Sequence, residues 1–196
     1  MEASNNTSHY HSLLILLLAF IFFLNINYPT TSALELEELT NRVAIDLCNK
    51  FSDLIFCLDA LGSDPRTETA DLYGLAMISF DLARTNFTQA SSFAAQLSNQ
   101  TKDPSLKSCL DLCKVIYDNG NSMLQQARSF AEANVLMSAE ANMADVTWAI
   151  VPKCMDEFKK RGVDDSPLRE KNHFVQTLSA LSVRILQALQ GKVLLD

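Results

Sequence analysis

The chain has 196 residues, with 16 Lys and Arg against 23 Asp and Glu and a net charge of −7. That acidic balance excludes nucleic acid as a main partner, because phosphate binding needs a basic face. Only 3 histidines are present, which speaks against hydrolase and zinc chemistry, the reactions that recruit this side chain most often.

In chain order, the first feature is Leu13 to Leu24, an unbroken apolar run followed by the small-residue site Thr31-Ser32-Ala33. The run is too short to span a bilayer, which takes about 20 residues. Residues 1–33 therefore read as a secretory signal peptide cleaved after Ala33, although MEASNNTSHYHS ahead of the run has no Lys or Arg. The mature chain from Leu34 to Asp196 is long enough for one domain with a real core, and it is expected outside the cell. Cleavage removes His9 and His11 and leaves His173 as its only histidine.

Beyond the leader, apolar residues recur at helical spacing almost throughout, without strand alternation, so the fold is predicted to be all-α. Residues 34–62 read as an N-terminal hairpin of two short helices, and 63–196 as an antiparallel four-helix bundle, together one domain. Asp64-Pro65, Asp103-Pro104 and Ser166-Pro167 each place a capping side chain before a proline suited to a first helical turn. Gly62 and Gly162 precede two of these as helix terminators. After Pro65 the apolar stripe is Leu72, Leu75, Ala76, Ser79, Leu82, Ala83, Ala90, Phe93, Ala94 and Leu97. After Pro104 it is Leu106, Cys109, Leu110, Cys113, Tyr117, Gly120, Leu124 and Ala127, and after Pro167 it is Phe174, Leu178, Leu181, Ile185, Ala188 and Leu189. A further apolar stretch, Ala133 to Lys160, contains Pro152, which should kink or split it.

There is no glycine-rich phosphate loop, no CxxC pair and no HExxH helix, so neither a cofactor nor a metal is predicted and no catalytic residue can be named. Two sequons of the mature chain, at Asn86 and Asn99, are candidate glycan acceptors, with Asn99 favoured because it falls near a predicted loop.

Five cysteines remain: Cys48, Cys57, Cys109, Cys113 and Cys154. A secreted protein should bridge an even number of them. The spacing of Cys48 and Cys57 suits a staple between two short helices. Cys109 and Cys113 lie one helical turn apart, with Cβ atoms about 6 Å from each other, too far for a mutual bridge that needs about 4 Å. One of the two must reach Cys154, and spacing alone leaves open which.

With these residues in view, the chain resembles the plant invertase and pectin methylesterase inhibitor family. The resemblance rests on the cysteine framework and on ALGSDPRTETADLYGLAMISFDLA, LCKVIYDNGNSMLQQA, VTWAIVPKCMDEF and KNHFVQTLSALSVRILQAL, in that order. It implies a Cys48–Cys57 bridge closing the hairpin and, with the CxxxY motif on Cys113 and Tyr117, a Cys113–Cys154 bridge with Cys109 as a free thiol. A competing register starting from SLKSC would use Cys109 instead. The resemblance further implies a non-enzymatic, secreted inhibitor of a carbohydrate-active enzyme of the cell wall or vacuole. That target is acid invertase in the first place, with pectin methylesterase as the alternative, and the rigid bundle would block the active-site cleft. Three departures stand out. CNKFSDLIFC lacks the usual Thr and Tyr-Pro, Pro152 interrupts a helix that is normally continuous, and no Pro-Lys-Phe triplet precedes the third bundle helix. They bear on the target enzyme and not on the fold, while the altered cysteine motif together with the extra Cys109 leaves room for a non-inhibitory binding or storage bundle.

Overall fold

Residues 40–163 and 166–195 are described by the structure, a computed structural model of the chain. The leader read over 1–33 lies outside them. The described residues are helical, with no strand.

Helices α1, Arg42–Asn49, and α2, Leu54–Gly62, form the hairpin. Each begins on a capping side chain that satisfies a backbone N–H of the first turn. Asn41 Oδ1 accepts from the Ala44 amide at 3.2 Å, and Asp53 Oδ1 from the Phe56 amide at 3.0 Å. Leu47 and Cys48 of α1 are buried with Cys57 and Leu61 of α2.

The first long helix does not start at Pro65 as its cap suggests. Pro65–Thr69 forms a 3-10 turn capped by Asp64, and helix α3 runs Leu72–Gln100 from a second cap, Asp71, whose Oδ1 accepts from the Gly74 amide at 2.7 Å. Asn41 accounts for the delay. Its Nδ2 donates to the carbonyls of Thr67 and Ala70 at 2.6 and 2.8 Å, while the buried Thr67 hydroxyl donates to the Leu61 carbonyl at 2.7 Å. Backbone acceptors that a continuing helix would use are thereby committed to tying the hairpin onto the bundle.

Helix α4, Pro104–Glu132, starts where its Asp103 cap places it. The third segment consists of α5, Leu136–Asp145, a π-turn over Val146–Ile150, and α6, Pro152–Lys160. Pro152 explains the π-turn, because its ring would clash with the carbonyl one turn back and it has no N–H to give. Widening the turn carries the chain past it, with the Val151 amide bonding to the Val146 carbonyl at 3.0 Å. The Thr147 carbonyl, which Pro152 cannot serve, accepts instead from Gln176 Nε2 at 3.0 Å. The last helix, α7, is Arg169–Leu189. It begins two residues after Pro167, with Ser166 Oγ accepting from the Leu168 amide at 3.2 Å.

Helix α3 packs on α4 and α7, and α5 closes the ring against the same two. The α3/α4 seam carries four polar rungs. Ser98 donates to Asp111, Ser91 to Asp118 at 2.6 Å, Asn121 to Thr88 at 3.4 Å, and Arg128 to Asp81 at 2.6 Å. Numbers fall along one helix as they rise along the other, so the pair is antiparallel and in a single register.

Inside that seam Gly120 admits the Phe87 ring, which is fully buried and stands edge-on to Tyr117 with centroids 6.4 Å apart. A Cβ at position 120 would lie 2.6 Å from Phe87 Cε1. In an open helix, Gly→Ala gains about 1 kcal/mol from backbone entropy, whereas overpacking a core costs about 1–3 kcal/mol. With Phe87 enclosed on all sides the second effect dominates, so Gly120→Ala is expected to lower the denaturation free energy by about 1–2 kcal/mol. A rise in the urea midpoint would show that the ring can step aside.

Candidate functional site

Cys113 and Tyr117 of the CxxxY motif meet Cys154 and Asn172 at one buried locus between α4, α6 and α7. Cys113 is bonded to Cys154, with Cα atoms 4.8 Å apart, and Cys48 to Cys57, with Cα atoms 5.4 Å apart. Cys109 is unpaired and fully buried, so a second chain cannot reach it. Burial pushes its thiol up, away from the reactive thiolate. One turn after Cys113, Tyr117 is also fully buried, and its hydroxyl donates to Asn172 Oδ1 at 3.1 Å and lies 3.5 Å from Cys154 Sγ. Burial raises the phenol above its ordinary value, so the group stays a neutral donor. Asn172 draws no attention in the sequence, since an amide in a helical stripe reads as solvated until its tyrosine partner is seen.

Phe174, expected in the core stripe, is 41 % exposed. Its ring meets Phe56 of the hairpin edge-on at 5.1 Å and lines a shallow groove with Asn86, Gln89, Glu170 and Lys171. Of the two sequons, Asn86 is half-buried in mid-helix with Nδ2 donating to the Leu82 carbonyl at 2.9 Å. Asn99 is exposed in the last turn of α3, beside the connection that starts at Thr101.

Ion pairs fasten the 3-10 turn that follows the hairpin, and the chain end. Arg66 engages Asp64 through two nitrogens and reaches Asp81, which Arg128 also binds. Glu140 accepts from Gln187, Gln190 and Lys192 near the C-terminus. Four carboxyls consequently sit below their ordinary range. The Arg66 guanidinium lowers Asp64, and the Ser98 hydroxyl with Lys107 lowers Asp111. Burial pushes Asp118 and Glu140 up, but Lys114 with Ser91 outweighs it at Asp118, and Lys192 with the two glutamines outweighs it at Glu140. A carboxyl depressed in the folded state stabilises the fold above its unfolded pKa, about 4, and that contribution disappears as pH falls through the lower folded value. Melting temperature is therefore expected to be nearly flat from pH 7 to about pH 5 and to drop below about pH 4. Calorimetry across that range checks it, and a drop already complete at pH 5 would contradict it.

His173 is exposed on α7. Among the described residues no group of three or more His, Cys, Asp or Glu is placed to hold a metal ion. The large apolar side chains left most open are Ile55 on the hairpin, Met137 and Trp148 on the third segment, and Leu194 at the chain end. The turn ahead of the third segment reads Ala133-Asn134-Val135, with Asn134 in the left-handed region at φ 59° and Val135 exposed.

Fold and site together define a disulfide-clamped helical bundle that presents a rigid surface. The family description "Plant invertase/pectin methylesterase inhibitor" matches residues 44–185. The chain is 36 % identical over 141 residues to a protein of Platanus acerifolia named "Putative invertase inhibitor", covering 68 % of this chain and 74 % of that one. It is 38 % identical over 90 residues to a pectinesterase inhibitor of Actinidia deliciosa, covering 46 % of this chain and 49 % of that one. A crystal structure of a mutant pectin methylesterase inhibitor from Arabidopsis superimposes with a TM-score of 0.63 at 20 % identity, over 72 % of this chain and 93 % of that one. The chain belongs to the plant invertase/pectin methylesterase inhibitor family, whose members are inhibitors and not enzymes.

Proposed function

We infer that the protein is a secreted inhibitor of acid invertase, acting on the enzyme outside the cell or in the vacuole. The observation that carries this reading is the relative named as an invertase inhibitor, to which the likeness extends over most of both chains. A bundle held by two bridges and an inter-helix polar seam is pre-organised, so it would meet the enzyme with little change of shape and little entropic cost. It would stand across the mouth of the cleft and exclude substrate. The Actinidia relative, at similar identity over a shorter stretch, favours pectin methylesterase as the second target. On the secretory route Asn99 is the glycan acceptor we favour, because it is exposed while Asn86 faces the Phe174 groove.

Purified protein titrated into acid invertase and into pectin methylesterase at mildly acidic pH tests the reading. Loss of invertase activity at sub-micromolar protein, with pectin methylesterase unaffected, is the expected result. The reverse pattern would move the target to the second enzyme, and full activity of both at micromolar protein would reject inhibition.

A further inference from the structure

The outer face of the third bundle segment is unlike the rest of the surface. Helices α5 and α6 turn Ala139, Met143, Cys154 and Phe158 inward, and the π-turn buries Val146 and Thr147. Opposite them Trp148, the only tryptophan of the chain, is 64 % exposed, and Met137 is 75 % exposed. Ala141 and Ala149 lie exposed on the same side, with Asp145 and the half-buried Ser138 among them. Met137 and Trp148 are 11 residues apart, about 16 Å along a helix, which fits within one standard interface of about 800 Å² per partner. Tryptophan is also among the side chains enriched in the residues that dominate binding energy.

Past Trp148 the exposed side of the segment carries basic residues. Lys153 and Lys160 are exposed and lie seven residues apart, hence on one side of α6. Neither has an ion-pair partner among the described residues, whereas Asp156 is already met by Lys159 at 3.9 Å and Glu157 by Arg161 at 2.6 Å. In a chain of net charge −7 this local excess of positive charge complements an acidic partner. A glycoside hydrolase cleft, built around paired carboxylates, is acidic by its chemistry.

We propose that this face docks on the acidic cleft of the target enzyme, with Trp148 as its central anchor and Lys153 and Lys160 steering the approach. The proposal rests on the inhibitor reading above. Trp148→Ala is expected to raise the inhibition constant about 30-fold or more while leaving the melting temperature unchanged, since the side chain is exposed. Lys153→Glu with Lys160→Glu is expected to slow association about tenfold and to flatten its salt dependence. Ile55→Ala, at an equally open apolar side chain on the hairpin, should change inhibition less than twofold. Protein labelled with 5-fluorotryptophan gives one fluorine resonance, which should shift when the enzyme is added. If the unsubstituted protein inhibits neither enzyme, the inhibitor reading fails and the proposal falls with it. If it inhibits and Trp148→Ala inhibits equally well, the proposal alone is overturned. A dimer that Trp148→Ala dissociates would overturn it too, by assigning the face to a second copy.

Discussion

Replacing Cys113 and Cys154 together by serine is expected to remove about 4 kcal/mol of stability, more than loss of the shorter bridge. The Cys113–Cys154 bridge spans 41 residues, and closing a loop of that length restricts the unfolded chain by about 4 kcal/mol. The Cys48–Cys57 bridge spans 9 residues, for which the same relation gives about 2.6 kcal/mol. Since a domain of this size is stable by only about 5–15 kcal/mol, loss of the long bridge removes a large share of the total. Guanidinium unfolding of the two double variants should rank them in that order. A long-bridge variant within about 1 kcal/mol of the parent would mean that packing alone holds α4 to α6.

Tyr117→Ala should cost at least as much from a single position. Tyr117 is among the largest fully buried side chains, and truncating a buried aromatic to alanine costs about 3–5 kcal/mol. The substitution also strands Asn172 Oδ1, which among the described residues accepts only from Tyr117, adding about 1–3 kcal/mol. Tyr117→Phe separates the two contributions, because it keeps the ring and removes only the hydroxyl, and about 1–2 kcal/mol is expected for it. Equal losses for the two variants would place the stabilisation in the hydrogen bond and not in packing, while no loss for Tyr117→Phe would show that Asn172 finds another donor.

The residues behind these expectations differ in how far the sequence discloses them. The α4 stripe is largely legible: Cys109, Leu110, Cys113, Tyr117, Gly120, Leu124 and Ala127 lie in the core, whereas Leu106 in the first turn is half-buried and the buried Ile116 and Ala131 fall outside the stripe. Helix α3 is less so. Phe80 and Phe87 fall off its stripe yet are fully buried, since α3 meets the hairpin, α4 and α7 and so buries a wider arc than any single stripe describes. Phe174 errs the other way, as periodicity cannot say that the hairpin covers only one edge of its ring. The pause at Pro65–Thr69 is hidden because its cause, Asn41, lies 26 and 29 residues upstream of the carbonyls it binds. Pro152 announces an interruption without its form, for the carbonyl that the π-turn leaves open is taken up by Gln176 of another helix. The Trp148 face is invisible for a related reason. An exposed tryptophan and a core tryptophan look alike until the neighbouring helices show which side is covered.

The rungs between α3 and α4 work as a ruler. Sliding one helix past the other by a turn would separate Ser91 from Asp118 and Arg128 from Asp81 at once, however well the apolar side chains repacked. Extra residues introduced at Thr101 to Asp103 would therefore bulge outward and leave both helices where they are. That connection is the natural place to lengthen the chain, or to graft a foreign peptide, without disturbing the rest of the molecule.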